Sequence, residues 1–343
     1  MSRNRARTDT IVLVSILVAV LALYVASLYS TQIKGIAFNN LVSNIRFITD
    51  KILFPIIIGS IASAILNHIF PHKYRSYILA GSGIIPILNA LWIGIFKNRS
   101  IYETLYTGLA QYKSGMTLGA TITYLIISPY NSISLIILVV FLFGFKTSLI
   151  IYGSLAFIAF ASGMFAEILQ YSKFLPKSAM ISRRDPNFNL ADEISEDLQK
   201  FKKCLLSRRL LFKHLKEIVL DYLVVLKVVL KWSVLGVLMA GLIGGALKEK
   251  EIDFFFGEGV FSAISILFLA AILEIFSEGA IILAYMFYHL TGALGTAFLF
   301  LIMVNVIDFL EISDFRHIMG KKISAYYLFM PLVLSLIFTY ILN

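Results

Sequence analysis

Charged residues and cysteine are scarce in this sequence. Only 15% of its 343 residues are charged and one is cysteine, Cys204, whereas soluble domains average about a quarter charged. A single cysteine excludes an intrachain disulfide and a cysteine-built metal cluster. The chain also lacks a Gly-x-x-x-x-Gly-Lys-Ser/Thr phosphate loop, a Gly-x-Ser-x-Gly elbow and a His-Glu-x-x-His pair. These absences argue against an ATP-driven machine and against an enzyme.

No cofactor and no metal site are predicted. His68 and His72 are four residues apart, a spacing that can chelate zinc on a helix. Neither has a carboxylate or cysteine near it in the sequence.

Apolar residues are abundant instead. They make up 59% of the chain, with a mean hydropathy of +0.86, and they recur in runs of about 20 residues, long enough to cross a bilayer as a helix. The prediction is an all-α polytopic membrane protein whose partner is the lipid bilayer. The predicted spans are residues 11–30, 52–71, 77–97, 147–170, 228–247, 254–275 and 325–342, with interrupted apolar stretches at 116–143 and 292–310.

The net charge of +10 comes largely from basic loops and from one polar insert at residues 171–217. That distribution is typical of loops held in the cytoplasm and does not indicate nucleic acid binding. We therefore expect a multi-pass protein of the plasma membrane with a cytoplasmic N-terminus, in which residues 11–30 are a retained anchor and not a signal peptide.

An internal repeat is indicated by matches at one ungapped offset of 176 residues. "GSG" at 81–83 recurs as "GEG" at 257–259, Leu118-Gly119 as Leu294-Gly295, and "GFK" at 144–146 as "GKK" at 320–322. The resulting division is an anchor and loop at 1–51, a first repeat at 52–170, a basic amphipathic linker at 171–227 and a second repeat at 228–343.

Counting crossings suggests that the two repeats are inverted. A cytoplasmic insert requires an even number of crossings before residue 171. Counting segment 116–143 as a full span gives five crossings, whereas counting it as a segment that enters and leaves on the same side gives four. Re-entry of segment 116–143 is therefore favoured. Each repeat then has an odd number of spans, so Lys146 and Lys322 should lie on opposite sides of the membrane.

The "SPYN" sequence at 128–131 predicts a broken helix, because Pro129 donates no backbone hydrogen bond. Broken backbone at membrane depth occurs where it lines a cavity or is buried in protein. Inverted repeats with such breaks are a common plan of secondary transporters. We predict a secondary transporter that exports a small solute or ion by alternating access. A passive channel, a scaffold subunit of a larger complex and a simple proline kink remain alternatives, and the sequence leaves homo-oligomerisation open.

The segment "QYKSGMTLGATITYLIISP", 111–129, with its continuation to "LFGFK" at 146, resembles the core of a predicted-permease family that includes organoarsenical efflux permeases. Tyr112, Lys113, Gly115, Leu118 and Gly119 fit one family segment, and Ser128-Pro129 fits its helix break. The "SEG" at 277–279 resembles the family's Ser-Glu element. The resemblance implies a permease.

Two departures limit that resemblance. The family's cysteine-serine motif would fall on residues 100–103, "SIYE", which contain no cysteine. Since thiolates bind soft metals and trivalent arsenic, an arsenical cargo is not implied. Asn305 stands where the family often has proline.

The candidate pathway residues are polar groups at or near the two breaks. Glu278 in an apolar run is the leading candidate for proton or cation coupling, and Glu274, four residues earlier, is expected to share its helix face. The full set is Glu278, Ser277, Glu274, Glu103, Tyr102, Ser128, Pro129, Asn131, Asn305 and Asp308.

Overall fold

The fold is that of a computed structural model, which describes residue 18 and residues 20–25, 36–69, 83–93, 101–113, 115–176, 208–273, 275–307 and 309–343. These residues are helical apart from short turns, as predicted. In chain order the helices are α1 (Ile36–Ile69), α2 (Ile84–Ile93), α3 (Ile101–Lys113), α4 (Leu118–Ile127), α5 (Ile133–Phe143), α6 (Phe145–Tyr171), α7 (Arg208–Ala246), α8 (Glu249–Phe256), α9 (Val260–Ile272), α10 (Ser277–Thr291), α11 (Leu294–Val306), α12 (Phe309–Met319) and α13 (Lys321–Leu342).

Four of these helices, α1, α6, α7 and α13, contain apolar stretches long enough to cross a membrane. We call the side on which α6 ends the insert side, and the opposite side the far side. Of the predicted span 11–30 only residue 18 and residues 20–25 are described, and most of the insert lies outside the described residues.

Helices α4 and α5 together form a broken crossing. They run antiparallel to α6, since Gly119 N donates to Glu167 Oε1 over 3.1 Å at one end and Ser148 Oγ lies 3.1 Å from Val139 O at the other. The 19 residues from Ser148 to Glu167 cover about 28 Å, close to the hydrocarbon thickness. The expected re-entry of segment 116–143 is therefore wrong.

Helices α11 and α12 form the equivalent broken crossing beside α13. Gly295 N donates to Asn343 Oδ1 over 2.7 Å, and the Phe315 ring lies 4.8 Å from the Tyr327 ring near the other end. The chain thus crosses from the far side to Gly320, where a glycine with φ 86° begins α13.

The re-entrant elements are different segments from the one expected. Thr296 Oγ1 donates to Gly257 O, so α9 begins at the same membrane side as α11. Helix α10 returns to that side, where Phe287 stacks on Phe256. Helices α9 and α10 therefore form a hairpin that enters and leaves on the far side. The predicted crossing at 254–275 is one arm of it.

Helices α2 and α3 form the matching hairpin on the insert side. Helix α2 packs along α4, and Leu91 near its end accepts a hydrogen bond from Asn131, just beyond the end of α4. Helix α3 returns to the start of α4, where Met116 N donates to Gln111 O. The predicted crossing at 77–97 is therefore also a hairpin arm.

The two halves are related by the predicted offset throughout. Adding 176 to the start of α2, α4 or α6 gives the start of α9, α11 or α13. The same offset converts the Gly119–Glu167 hydrogen bond into the Gly295–Asn343 bond. Helix α1 corresponds to α7 by the same offset.

Helices α1 and α7 are antiparallel and pack closely through glycine. A Cβ on Gly241 would lie 2.5 Å from the Ile45 side chain, and one on Gly245 would lie 2.6 Å from Leu41 Cβ. The neighbouring face of α7 meets α10 at Gly236 and Gly279. Small residues are common where helices approach in membranes, because association there depends on close packing.

The directions of these helices make the halves inverted. Helix α6 runs toward the insert side and its equivalent α13 runs away from it. Lys146 at the start of α6 and Lys322 at the start of α13 therefore lie at opposite ends of the molecule, in agreement with the expected inversion.

Candidate functional site

The candidate site is the midplane region where the two broken crossings and the hairpin tips meet. The first break follows Ile127 and ends at Ser132, whose side chain caps α5 by accepting from Leu135 N. Within the break, Tyr130 N donates to Ile127 O and Asn131 N donates to Ser128 O. These bonds satisfy backbone groups that the helix interruption would otherwise leave unpaired in the membrane.

Tyr130 joins the two halves. Its hydroxyl donates to Leu301 O and accepts from Asn305 Nδ2, so a side chain of the first break is bonded to the last turn of α11. Tyr152 on α6 supports this arrangement by donating to Tyr130 O over 3.0 Å. We call Tyr130 and Asn305 the inter-half latch.

Asn131 links the first hairpin to the first break through a hydrogen bond. Its Nδ2 donates to Leu91 O over 2.6 Å, so the amide fixes the end of α2 at the level of the break. Ser128 and Pro129 are buried beside it. The three residues predicted at this break are therefore brought together.

Two buried oxygens at the breaks have no hydrogen-bond donor in the part of the chain that the structure describes. They are Ser128 Oγ and Asn305 Oδ1. Buried polar atoms of proteins are paired in the large majority of cases. One of these oxygens, Asn305 Oδ1, belongs to the latch itself, and the other, Ser128 Oγ, lies at the first break.

The second hairpin brings an acidic group to this region. Helix α10 begins at Ser277, which is buried, and Glu278 in its first turn is half-buried. Glu278 lies within electrostatic range of Tyr130. A helix N-terminus favours a negative charge, so α10 offers this carboxylate a partly compensated position.

A small cavity adjoins the latch. It is lined mainly by apolar side chains of both halves, including Leu155, Ile281 and Leu301, with Tyr130 and Tyr152 on its wall. Its free space is about that of a single water molecule. The halves are thus tightly closed on one another around the breaks.

Asn305 produces a break without proline. Helix α11 ends at Val306, Ile307 is its C-cap and α12 begins at Phe309. Asn305 occupies the position equivalent to Pro129, and its amide takes part in the latch. The second half therefore has a break at the predicted place, formed by a different residue.

The expectation that Glu274 shares a helix face with Glu278 is wrong. Helix α9 ends at Ile272 and α10 begins at Ser277, so the two glutamates are not on one continuous helix. Glu274 and Asp308 themselves, and the side chains of Tyr102 and Glu103, lie outside what the structure describes.

Tyr130, Tyr152 and two lysines were missed by the sequence-based prediction. Lys231 on α7 is half-buried with its ammonium 5.1 Å from the Trp232 ring, next to the carbonyl that Gly279 approaches. Its position inside the apolar run "VVLKWSV" was an available signal, since intramembrane charge is rare. The second lysine is Lys51 on α1.

Comparison with protein families places this chain in a known family. A family model described as a predicted permease matches residues 37–343, from the first turn of α1 to the last residue, and so covers both halves. This chain belongs to the predicted permease family. Comparison with curated proteins and with solved structures returned no match.

Membership in the predicted permease family has a direct consequence. The chain is a multi-pass membrane permease. The match includes both breaks and both hairpins, so these features are part of the permease unit.

Proposed function

We propose that this permease is a secondary transporter that exports a small solute or ion by alternating access. The observation that carries the proposal is the inter-half latch, at which the breaks of two oppositely oriented halves meet. A site between inverted halves can face either side of the membrane when one half rocks against the other.

Glu278 is the proposed coupling group. A carboxylate at membrane depth costs several kcal/mol unless it is protonated or paired. Binding and release of a proton or cation at Glu278 would therefore change the stability of the closed site. Ser277 at the same helix start and the unpaired oxygens of Ser128 and Asn305 are the proposed ligands of the solute.

Each end of the molecule has a contact that closes the pathway in this conformation. On the far side, the Phe143 ring lies 5.4 Å from that of Tyr285 and 5.7 Å from that of Tyr288. On the insert side, Tyr106 Oη donates to Asp314 Oδ2 over 2.7 Å. Both contacts join the first half to the second, which supports an occluded state between two open ones.

The proposed orientation places the insert side in the cytoplasm of the cell. Its support is the basic insert and the basic N-terminus, because loops rich in lysine and arginine stay on the cytoplasmic side. The far side would then face outward across the plasma membrane.

The test is transport by purified protein in vesicles carrying an imposed pH gradient. Vesicles are loaded with a defined mixture of small metabolites and ions, and their loss is followed by mass spectrometry together with internal pH. We expect saturable efflux that the gradient accelerates. Glu278→Gln should lower gradient-driven efflux at least about tenfold, while Glu258→Gln, an exposed carboxylate on the far side, should leave it unchanged.

Other outcomes would contradict the proposal. Non-saturable flux, indifferent to the gradient and equal in both variants, indicates a passive channel. No flux of any solute, together with a partner that co-purifies in fixed ratio, indicates a scaffold subunit.

A further inference from the structure

A basic cluster lies at the far-side end of the molecule, away from the latch. Lys51 on α1 donates to Tyr285 Oη over 2.6 Å, and its ammonium lies 4.5 Å from the centre of the Phe47 ring. The His289 ring stacks on Phe47 at 4.6 Å and on Tyr285 at 5.8 Å. We call Lys51, Tyr285 and His289 the far-side basic cluster.

The charge of this cluster is not balanced by an acid. In the part of the chain that the structure describes, Asp50 on α1 pairs with Arg46 at 3.8 Å. No described carboxylate oxygen lies as close to the Lys51 ammonium. Lys51 and His289 are also close enough to interact electrostatically. The Lys51 ammonium is therefore a cation without an acidic partner among the described residues, and an anion bound beside it would pair with that charge.

Lys51 is an exposed residue of α1 whose side chain is fixed by a hydrogen bond. Its ammonium is held against Tyr285, whose side chain is only 4% exposed and which belongs to the re-entrant hairpin. A tyrosine hydroxyl can accept from lysine and still donate a hydrogen bond. The cluster thus offers an ammonium, a hydroxyl and an imidazole on one surface.

The repeat places basic residues at the equivalent positions of the other end. Lys227 is equivalent to Lys51, and Lys113 is equivalent to His289, by the offset of 176. The aromatic partners are not kept, because Leu109 and Leu223 stand where Tyr285 and Phe47 stand on the far side. Basic side chains at both ends are therefore a shared feature of the halves, while the rings are not.

We propose that the far-side basic cluster is a binding site for an oxyanion group, either a carboxylate or a phosphate. Lys51 supplies the charge, the Tyr285 hydroxyl donates a hydrogen bond and the His289 imidazole offers a ring N–H as a further donor. The site depends on the packing of α1 against α10 and does not require the transport mechanism proposed above. The oxyanion can come from a free solute or from a phospholipid headgroup.

The test is binding, with full-length protein in two arms. In one arm, protein in a neutral detergent is titrated with inorganic phosphate and separately with benzoate, with ionic strength held constant by sodium chloride. In the other, protein in phosphatidylcholine nanodiscs is compared with protein in nanodiscs containing phosphatidylglycerol. Binding is measured by calorimetry in the first arm and by the shift in melting temperature in both.

We expect Lys51→Gln to weaken binding at least about tenfold, the effect of removing one charged hydrogen-bond partner. Lys250→Gln removes the same charge from exposed α8 on the same side and should bind like wild type. Lys51→Arg should retain binding within a few fold, and it keeps the test valid if Lys51→Gln does not fold. His289→Gln should weaken binding by a smaller factor.

The two arms of the experiment distinguish the two possible sources of the oxyanion. A Lys51-dependent response to phosphate or benzoate supports a site for a free solute, and one confined to phosphatidylglycerol supports a headgroup site. The proposal is overturned if neither arm responds, or if Lys51→Gln and Lys250→Gln behave alike. Because no step measures flux, failure here leaves the transport proposal standing, and the converse also holds.

Discussion

The first and second halves of this permease share a backbone but not the chemistry of their centres. Gly144 and Gly320 start equivalent helices with φ of 80° and 86°, and Glu167 and Asn343 accept equivalent hydrogen bonds. At the breaks, however, Pro129 and Tyr130 correspond to Asn305 and Val306. Residues that determine the backbone conformation are therefore alike in the two halves, whereas residues at the breaks, where the halves meet, differ.

This division is what a transporter built from two copies requires. Equivalent glycines and helix ends let the inverted halves pack around one axis, whereas a solute site needs different groups at different points. In the proposed site, the first half would supply Tyr130 and Asn131, and the second would supply Asn305 and Glu278. Variants at equivalent positions of the two halves therefore test where the halves are alike and where they differ.

The largest expected effect is all-or-none: it is the side of the membrane from which a cysteine at a given position can be labelled. In a Cys204→Ser background, single cysteines at 113, 146 and 322 are labelled with a membrane-impermeant maleimide in sealed, oriented vesicles. We expect residues 113 and 322 to label from one side and residue 146 from the other. Labelling of 113 and 146 from the same side would show that segment 116–143 is re-entrant after all.

The next effect concerns the glycine contacts of the two broken crossings. A Cβ on Gly119 would lie 2.5 Å from Gly163 O, and one on Gly295 would lie 2.1 Å from Thr339 O. Gly119→Ala and Gly295→Ala should each destabilise the protein by about 3 kcal/mol through overpacking, measured as lower melting temperatures in detergent.

Gly153→Ala is the matched control, because a Cβ there meets nothing within 4 Å. In the middle of α6 it should be neutral or stabilise by up to about 1 kcal/mol. Equal losses in all three variants would show that the close contacts at Gly119 and Gly295 do not decide stability.

A smaller effect is expected at the latch, where the halves differ. Tyr130→Phe keeps the ring but removes the hydroxyl that joins Leu301 and Asn305, leaving a buried amide without its partner. The expected loss is about 2 kcal/mol. Tyr152→Phe removes one hydrogen bond to a backbone carbonyl and should cost about 1 kcal/mol. If Tyr152→Phe proves the more damaging, the latch is not the main contact between the breaks.

The smallest effect compares two equivalent serines. Ser148 Oγ donates to Gly144 O and also lies within bonding distance of Val139 O, whereas Ser324 Oγ donates only to Gly320 O among the described contacts. Ser148→Ala should cost about 1 kcal/mol and Ser324→Ala about 0.5 kcal/mol. Chemical denaturation of both proteins in the same detergent measures the difference, and a reversed order would contradict it.

Much of the fold was predictable because its signals are local. Apolar runs of membrane length predicted an all-helical membrane protein, Pro129 predicted the first break, and glycine pairs at one offset predicted the repeat. Glu278 is a candidate from the sequence alone because a carboxylate in an apolar run is costly wherever it lies. Tyr130 was missed because the hydrogen-bond partners of its hydroxyl, Leu301 and Asn305, are more than 170 residues away in the sequence.

The choice of re-entrant segments shows where a local signal fails. Segments 77–97 and 254–275 are as apolar as true crossings, since a hairpin arm surrounded by protein and lipid needs the same composition. Whether such a segment ends at the midplane depends on what packs against it. Here that is decided by contacts such as Asn131 to Leu91 and Thr296 to Gly257.

The sequence alone therefore determined that this chain is helical, spans a membrane and is duplicated, because length, hydropathy and glycine spacing act within a helix or its ends. Only the tertiary structure decided which segments cross and which turn back, and which polar side chains meet. Those outcomes depend on hydrogen bonds and close contacts between helices far apart in the chain, and no short stretch of residues contains them.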